Sequence, residues 1–467
     1  MDFSQFGKLL ERSHLDHKQH QFDGVRWCLK REEPIEENAI CGGIMADEMG
    51  LGKTIQMLGI IVCNFKRRTL IILPKSLLNQ WITTISKIYN HAPLVYHGQH
   101  VKSISLQKLN SAPIVVSTYG MLNHKKENNL LHKINWDRII FDEAHHLRNK
   151  DTTTQTSVLK IRKQSIIWLV TGTPIQNRIT DLHSLYKILG IPKTQYVNPQ
   201  NHIDLIKKYI IKRNKKDIKL NIPKVNEKNI YVEWKDEQEK DVAEELHLHS
   251  VTEKSNFRLE KSNFNNPYDK PLLPFTMFAK QMCVCPTAFQ PHLFKLLKEE
   301  KHQHEEDLNN TLITGNSKLD SVIKTLLENK NNRKKIVFCQ FKTEINAIMY
   351  ALKSNGFVVE AIDGTTAKKK RNEILENQEI TDANYTLIIQ IQVGCEGLNL
   401  QTFSEVYFVS PNWNPAIEDQ AIARCHRIGQ KQEVNIYRFY MNDFNNYSSS
   451  LDTHIKNKQD EKRKIMI

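Results

Sequence analysis

Short, unbroken apolar runs alternate with amphipathic stretches through the first part of the chain. The runs are Ala39–Met45, Thr69–Leu73 closed by Pro74, Pro113–Tyr119, Arg138–Phe141 and Ser165–Val170. Each is apolar throughout rather than at every second position, as a strand buried on both faces requires. Helical periodicity fills the gaps. Residues 14–31 place Phe22, Val25 and Leu29 on one face, and Ile55–Phe65 and Leu77–Ile88, with Trp81, follow the same period. Strands and helices in strict alternation predict a parallel sheet covered on both sides.

From 192 to 310 the pattern lapses and charge dominates. Lys207, Lys208, Lys212, Arg213, Lys215, Lys216 and Lys219 form a basic stretch, Glu233–Glu245 is acidic and helix-like, and Asn263–Pro274 reads as loop. The basic stretch suits either DNA phosphates or a solvated helix face. A second strand–helix series starts near Lys318, with runs Lys335–Cys339, Gly356–Glu360, Tyr385–Ile389, Glu405–Val409 and Val434–Tyr437. The expectation is an α/β chain of two mostly parallel sheets, helices on both faces, and helical insertions between them. The expected segments are a cap helix region at 1–21, a first sheet domain at 22–192, an insertion and linker at 193–315, a second sheet domain at 316–440 and a basic tail at 441–467.

Composition adds little to this. The chain has 467 residues, 40% of them hydrophobic and 25% charged, ordinary for two or three globular domains. No apolar run approaches the roughly 20 residues of a membrane span, so no membrane partner is expected. The Met-Asp-Phe-Ser-Gln-Phe start does not read as a signal peptide. The eight cysteines are scattered and include no Cys-x-x-Cys pair, which suits reduced, buried thiols better than a metal site. The net charge of +14 favours a polyanionic partner, nucleic acid first.

The chemistry gathers at Asp47-Glu48-Met49-Gly50-Leu51-Gly52-Lys53-Thr54, between a predicted strand and a predicted helix. Gly50 and Gly52 let the backbone curl so that N–H groups face an anion, Lys53 supplies a point charge for phosphates, and the Thr54 hydroxyl suits magnesium. The strict phosphate-loop pattern requires glycine where Asp47 stands, and fails here. Asp142-Glu143 lies at the C-terminal end of a predicted strand, where open α/β sheets bind ligands. Asp142 suits magnesium, and Glu143 suits a water to be oriented or deprotonated. Gln21 offers an amide for an adenine edge. Arg424 and Arg427, three apart, would share a helical face and suit charge developing on a γ-phosphate. Lys368-Lys369-Lys370-Arg371 reads as a nuclear import signal or as part of a helix.

Taken together, these motifs resemble the Swi/Snf-type ATPases of helicase superfamily two. Asp47–Thr54 resembles that family's phosphate loop, where aspartate is the expected residue. Asp142-Glu143-Ala144-His145 resembles its magnesium motif, and Val170-Thr171-Gly172-Thr173-Pro174-Ile175-Gln176-Asn177 its coupling motif. Leu73-Pro74 with Gln80-Trp81, and Ser117-Thr118-Tyr119, resemble DNA-contact motifs of the first lobe. Gly394–Leu400, Trp413-Asn414-Pro415 and Arg424–Gln430 resemble second-lobe motifs. Two positions depart from the family, with Gln392 for the usual lysine and Cys395 for the usual glycine, and the usual Arg-Arg of the linker is Lys212-Arg213. The run Trp413–Gln420 is most similar to the helicase-like transcription factor branch, without that branch's RING cysteines, and the compact form resembles the viral global transactivators.

The resemblance implies two RecA-like lobes with ATP and magnesium between them. Gln21 and the loop Asp47–Thr54 would hold the nucleotide, Lys53, Asp142, Glu143, Arg424 and Arg427 would carry catalysis, and Thr54 and Asp142 would hold the metal. Lys75, Ser117, Thr118, Tyr119, Asn399 and Trp413 would contact double-stranded DNA without sequence preference. The implied activity is a DNA-stimulated ATPase translocating on duplex DNA in transcription or repair, with nucleosomes or transcription proteins as further partners. Its location would be the nucleus, a host nucleus for a viral chain, and otherwise the cytoplasm or nucleoid. A regulator that uses ATP only as a switch, and a strand-separating helicase, are the alternatives.

Overall fold

The computed structural model describes residues 3–33, 39–123, 129–149, 152–162, 165–175, 178–218, 222–256, 273–291, 313–377, 385–394, 398–445 and 448–465. Gln176, Asn177, Lys219, Cys395 and most of the expected loop 263–274 lie outside them. The chain divides into two units, Met1–Asn221 with Lys464–Ile467, and Ile222–Arg463.

The first unit is built on seven parallel strands: β1 (Gly42–Met45), β2 (Thr69–Leu73), β3 (Leu94–Tyr96), β4 (Ile114–Thr118), β5 (Arg138–Asp142), β6 (Ile166–Val170) and β7 (Ile210–Ile211). Their order is β3-β4-β2-β5-β6-β1-β7. Alternate residues of each strand serve opposite faces. Ile44, Leu70, Ile72, Ile139, Phe141, Ile167 and Leu169 enter one core, with the helices Thr153–Ile161 and Ile179–Leu189 over them. Met45, Ile71, Leu73, Ile140, Trp168 and Val170 enter the other. That second face is covered by α1 (Ser4–Arg12), α2 (Gln19–Glu32), α3 (Lys53–Cys63) and α4 (Leu78–Tyr89). A short α5 (Leu106–Ser111) follows β3.

The second unit has six parallel strands: β8 (Val225–Val232), β9 (Lys335–Cys339), β10 (Val358–Ile362), β11 (Tyr385–Gln390), β12 (Glu405–Phe408) and β13 (Val434–Met441), in the order β10-β11-β9-β12-β13-β8. The helix Lys368–Asn377 carries the four basic residues 368–371.

The two-sheet α/β architecture is as expected, but the segment limits are not. Helix α2 runs through the limit expected at 21/22. The stretch 193–315, read as insertion and linker, gives β7 to the first sheet and β8 to the second. Both strands were hidden for a physical reason. β7 is two isoleucines inside a lysine-rich run. β8 is an edge strand whose residues are largely exposed, so it has no apolar run to show, and polar edge strands discourage stray pairing.

Beneath the first sheet lies a fully buried ion pair. The Glu32 carboxylate accepts from Arg138 Nε at 2.6 Å, Trp168 Nε1 at 2.8 Å and Asn64 Nδ2 at 2.6 Å. Glu32 and Arg138 have no exposed side-chain surface, and the pair ties the end of α2 to β5, β6 and the end of α3. Removing one partner strands a buried charge at a cost of about 3–5 kcal/mol, whereas a matched apolar pair is often near neutral. We expect Glu32→Ala to lower the urea midpoint of the first unit far more than the double change Glu32→Leu with Arg138→Met. Equal losses would show that the charges themselves are not what holds this layer.

Candidate active site

β1 ends at Met45, α3 begins at Lys53, and the loop between them turns on Gly50 (φ 91°) and Gly52 (φ 80°). Both are in the left-handed region that a side chain resists. Gly52 is also closed off above, since a Cβ there would strike the Gln21 amide. The loop therefore delivers its backbone straight into the N-terminus of α3, where the first-turn N–H groups and the helix dipole favour an anion. The Leu51 carbonyl accepts from His20 Nε2 at 3.0 Å and Gln21 Nε2 at 3.2 Å, which pins α2 to the loop. Lys53 Nζ lies 2.8 Å from the Asp47 carbonyl and 3.5 Å from that of Glu48. Met49, Gly50, Lys53 and Thr54 are half-buried, and Leu51 is buried.

Asp47 is fully buried and its carboxylate is engaged from two sides. Arg213 makes a two-pronged ion pair with it, Nε to Oδ1 at 2.9 Å and Nη2 to Oδ2, and Gln56 Nε2 donates to Oδ2 at 3.1 Å. The same guanidinium donates to the His20 carbonyl and, at 2.8 Å, to Gln56 Oε1. Glu48 repeats the arrangement one residue on, its carboxylate accepting from the Lys215 backbone at 2.7 Å and lying 3.3 Å from Lys215 Nζ. Backbone pairing continues β7 along the loop, Ala46 N to Ile211 O and Glu48 N to Arg213 O. Asp47 and Glu48 were expected to bind cofactor. Their carboxylates are held by the chain after β7, which fixes the loop. Sequence reading put Arg213 in a basic surface stretch and missed Gln56 altogether. The one available signal was that a buried aspartate in an anion site must have a cation nearby.

Asp142 ends β5 and is buried; Glu143 follows in a left-handed conformation (φ 49°, ψ 49°). A non-glycine residue held there is strained, and such strain collects at functional sites. Asp142 Oδ2 accepts from Trp81 Nε1 at 2.7 Å, Oδ1 from the Glu143 backbone at 2.9 Å, and the Asp142 carbonyl from Tyr119 Oη at 2.7 Å. Burial and the neighbouring Glu143 raise the Asp142 carboxyl to about 6, against the lowering influence of Trp81 and Lys53. Glu143 Oε2 lies 3.3 Å from His145 Nδ1, which lies 3.4 Å from Thr171 Oγ1. A Cβ on Gly172 would sit 3.5 Å from Lys53 Nζ. The coupling stretch 171–173 thus links the acidic pair with the lysine.

The expected DNA contacts divide. Lys75 is exposed. Ser117 and Thr118 are buried, with Ser117 Oγ donating to the Tyr96 carbonyl at 2.7 Å and Thr118 Oγ1 bonded to His97 Nδ1 at 3.1 Å. Those hydroxyls tie β4 to the edge of the sheet, which corrects their expected role. Tyr119 and Trp81 tether Asp142.

In the second unit Asn399 and Gln392 are exposed, and Trp413 is half-buried with its carbonyl accepting from Lys462 Nζ at 2.7 Å. Arg424 lies in the last turn of the helix Pro415–Cys425, but that helix stops at Cys425. Arg427 therefore does not share a helical face with it, as the three-residue spacing had suggested. The two arginines are still close enough for Arg424 to help burial lower the Arg427 guanidinium from its usual value. Gln430 sets the turn that carries Arg427, its amide donating to the carbonyls of Gln401, Phe403 and Cys425 at 2.9–3.1 Å.

Two substitutions test the loop and its acid. Asp47→Gly restores the strict phosphate-loop pattern yet leaves the half-buried Arg213 without its counter-ion. We expect it to weaken binding of a fluorescent ATP analogue by at least about tenfold, the equivalent of 1.4 kcal/mol; tighter binding would show that Asp47 is a defect. Trp81→Phe keeps the packing and removes one donor from Asp142. We expect turnover to fall while analogue affinity changes less than about threefold, a donor to a charged group being worth about 1.5–3 kcal/mol.

Comparison with known proteins adds the family. The SNF2-related domain matches residues 20–288, and the helicase conserved C-terminal domain matches residues 317–429. A probable global transactivator of Orgyia pseudotsugata multicapsid polyhedrosis virus is 27% identical over 95% of this chain and 89% of its own length. The DNA excision repair protein ERCC-6-like of Danio rerio is 27% identical, but the chain spans only 34% of it. The human helicase-like transcription factor is 27% identical, with half its length spanned. Among solved structures, the Sulfolobus solfataricus SWI2/SNF2 ATPase core in complex with dsDNA matches at 22% identity and a TM-score of 0.41, covering 97% of this chain and 92% of that one. The SNF2-related domain alone accounts for more than half of the chain, which belongs to the SNF2-related family of ATP-dependent, helicase-superfamily proteins.

Proposed function

We propose that the chain is a DNA-stimulated ATPase that translocates on double-stranded DNA and remodels DNA–protein complexes in transcription or repair. The observation that carries this reading is the linkage of Lys53, Asp142, Glu143 and the 171–173 stretch around one helix N-terminus in the first unit. The residues suit magnesium-bound ATP. Lys53 Nζ rests on loop carbonyls, where a phosphate offers a stronger partner. Asp142 sits in a buried site that disfavours its charge, and a divalent cation would reverse that balance. Thr54 and Asp142 would hold the ion, and Gln21, already on the loop, would meet the base.

When bound, the metal ion neutralises phosphate charge and fixes the geometry for in-line displacement. The residues do the rest. Lys53 and the α3 N-terminus hold the phosphates. Glu143, oriented by its strained backbone and by His145, takes the proton from the attacking water. Arg424 and Arg427 supply positive charge for the transition state, and their mutual repulsion is relieved by a polyanion. Trp81 and Tyr119, from the motifs expected to meet DNA, hold Asp142 by side chain and backbone. That gives bound DNA a route to the acid, and supports stimulation of turnover.

Contact with DNA through phosphates carries no sequence information and weakens steeply with salt. The charge of +14 and the exposed Lys75 support it. The relatives named for transcription and repair support action in a nucleus, a host's in the viral case.

We expect duplex DNA to raise the ATPase rate several-fold, with no preference among sequences; a rate indifferent to DNA would remove the motor reading. Glu143→Gln should abolish turnover yet retain nucleotide, and Arg427→Ala should lose hydrolysis with nucleotide affinity within a few-fold. ATPase activity without displacement of a triplex strand would favour the ATP-switched regulator, and unwinding of a forked duplex would favour a strand-separating helicase.

A further inference from the structure

We infer that the first unit carries a docking groove for an acidic amphipathic segment of a partner protein, at the end of the sheet opposite the phosphate loop. The inference does not depend on the nucleotide reading.

The groove encloses about 520 Å³ between the last turn of α3 (Ile61, Val62), the end of α4 (Ile85, Tyr89) and the chain just before or at the starts of β3 and β4 (Pro93, Ile114). All strands of this sheet are parallel. The phosphate loop, Lys75 and Asp142 follow or end strands, whereas the groove lies where β3 and β4 begin. Nothing in the proposed ATP or DNA chemistry uses this end. Its volume is that of a ligand site. The lining is mostly aliphatic, and Phe65 at its rim is 69% exposed. An aromatic left in water beside an apolar cleft is the usual form of an anchor at an interface. Tyr89 does not offer its hydroxyl, which donates to the Leu58 carbonyl at 2.6 Å.

The charge around the groove selects the partner. From Met49 to Lys126 the sequence contains no aspartate or glutamate, while lysine and arginine occur ten times. Every lining residue falls in that stretch. Lys108 lines the groove and is exposed, His91 is beside it, and Lys66 and Arg67 follow Phe65 directly. Glu32 and Asp137, which reach this end of the sheet from outside the stretch, are already matched. Asp137 pairs with Arg68 at 3.2 Å, and Glu32 is sealed under Arg138, Trp168 and Asn64. The residues that line the groove thus bring positive charge and no carboxylate, and the rim attracts acidic groups.

An occupant must meet both conditions, apolar side chains for the cleft and carboxylates for the rim. A helix with one apolar face and acidic flanks does so in the helix-in-groove manner. A nucleic acid backbone has the charge but no aliphatic surface to fill the cleft. A second copy of this chain, docked groove to groove, would bring two positive rims together.

The test uses the full chain and phage-displayed random peptides of about 16 residues, some four helical turns. Selection on the wild type is followed by depletion on Phe65→Glu, an exposed change outside the proposed active site that should leave ATPase activity intact. The inference expects enriched peptides with apolar residues at i, i+3, i+4 and i+7 and a net negative charge. As free peptides they should bind at least about tenfold more weakly to Phe65→Glu and to Lys108→Glu, a loss of 1.4 kcal/mol or more. Four results would overturn it: no enrichment over Phe65→Glu, neutral or basic peptides indifferent to Lys108→Glu, competition by a DNA duplex that Phe65→Glu abolishes, or a wild-type dimer in sedimentation that Phe65→Glu dissolves.

Discussion

A carboxylate buried in a loop proposed to take phosphate must be neutralised by the protein itself, and at Asp47 the neutralising group comes from 166 residues away. Glycine at this position would ask for nothing. Aspartate asks for Arg213, and Arg213 reaches it only because β7 has joined the sheet beside β1 and carried the following chain along the loop. The guanidinium then satisfies its remaining donors on the His20 carbonyl and on Gln56, which brings α2 and α3 into the same arrangement. Helix α2 closes the circuit by donating twice to the Leu51 carbonyl. Loop curvature, the place of Gln21 and the path of the chain leaving the first unit are one problem with one solution. Breaking such a buried pair by removing one partner costs about 3–5 kcal/mol, while keeping it adds little net stability. Its effect is to fix one geometry.

This explains which parts of the molecule were legible in the sequence. Residues whose role is local stood out. The all-apolar strands announced two-faced burial, Gly50 and Gly52 announced a backbone that must turn left-handed, and Asp142-Glu143 announced itself by its place at a strand end. Roles that depend on long-range partners did not. Ser117 and Thr118 drew a DNA role from the family resemblance, yet β3, a three-residue edge strand with little pattern, and His97 just after it supply the groups that occupy their hydroxyls. Arg213 stood in the basic stretch and in the linker pair Lys212-Arg213, but its partner Asp47 was not visible until β7 fixed its direction. Arg424 and Arg427 had the spacing of a helix pair, but the helix ends between them, and the amide of Gln430 decides the turn that follows.

Asp142 shows how the two kinds of motif interlock. Its two oxygens and its carbonyl are each held from a different element, α4 through Trp81, the chain after β4 through Tyr119, and its own successor through the Glu143 amide. Burial and Glu143 raise this carboxyl to about 6 even with the Trp81 donor, which favours the charged form a cation needs. Trp81, from a motif that resembles the family's DNA-contact motifs, is thus an electrostatic support of Asp142. A displacement of α4 would change the surroundings of that carboxylate.

The same logic bears on what the first sheet can do alone. A fragment ending at residue 192, the limit that patterning suggested, would contain the loop, Lys53, Asp142 and Glu143. It would lack β7, Arg213 and Lys215. Asp47 and Glu48 would then stand beside the phosphate site without their cations, and their repulsion would oppose the anion that the α3 N-terminus attracts. The functional first unit must extend through Lys215. The chain has therefore begun its passage to the second sheet before the loop is fully held.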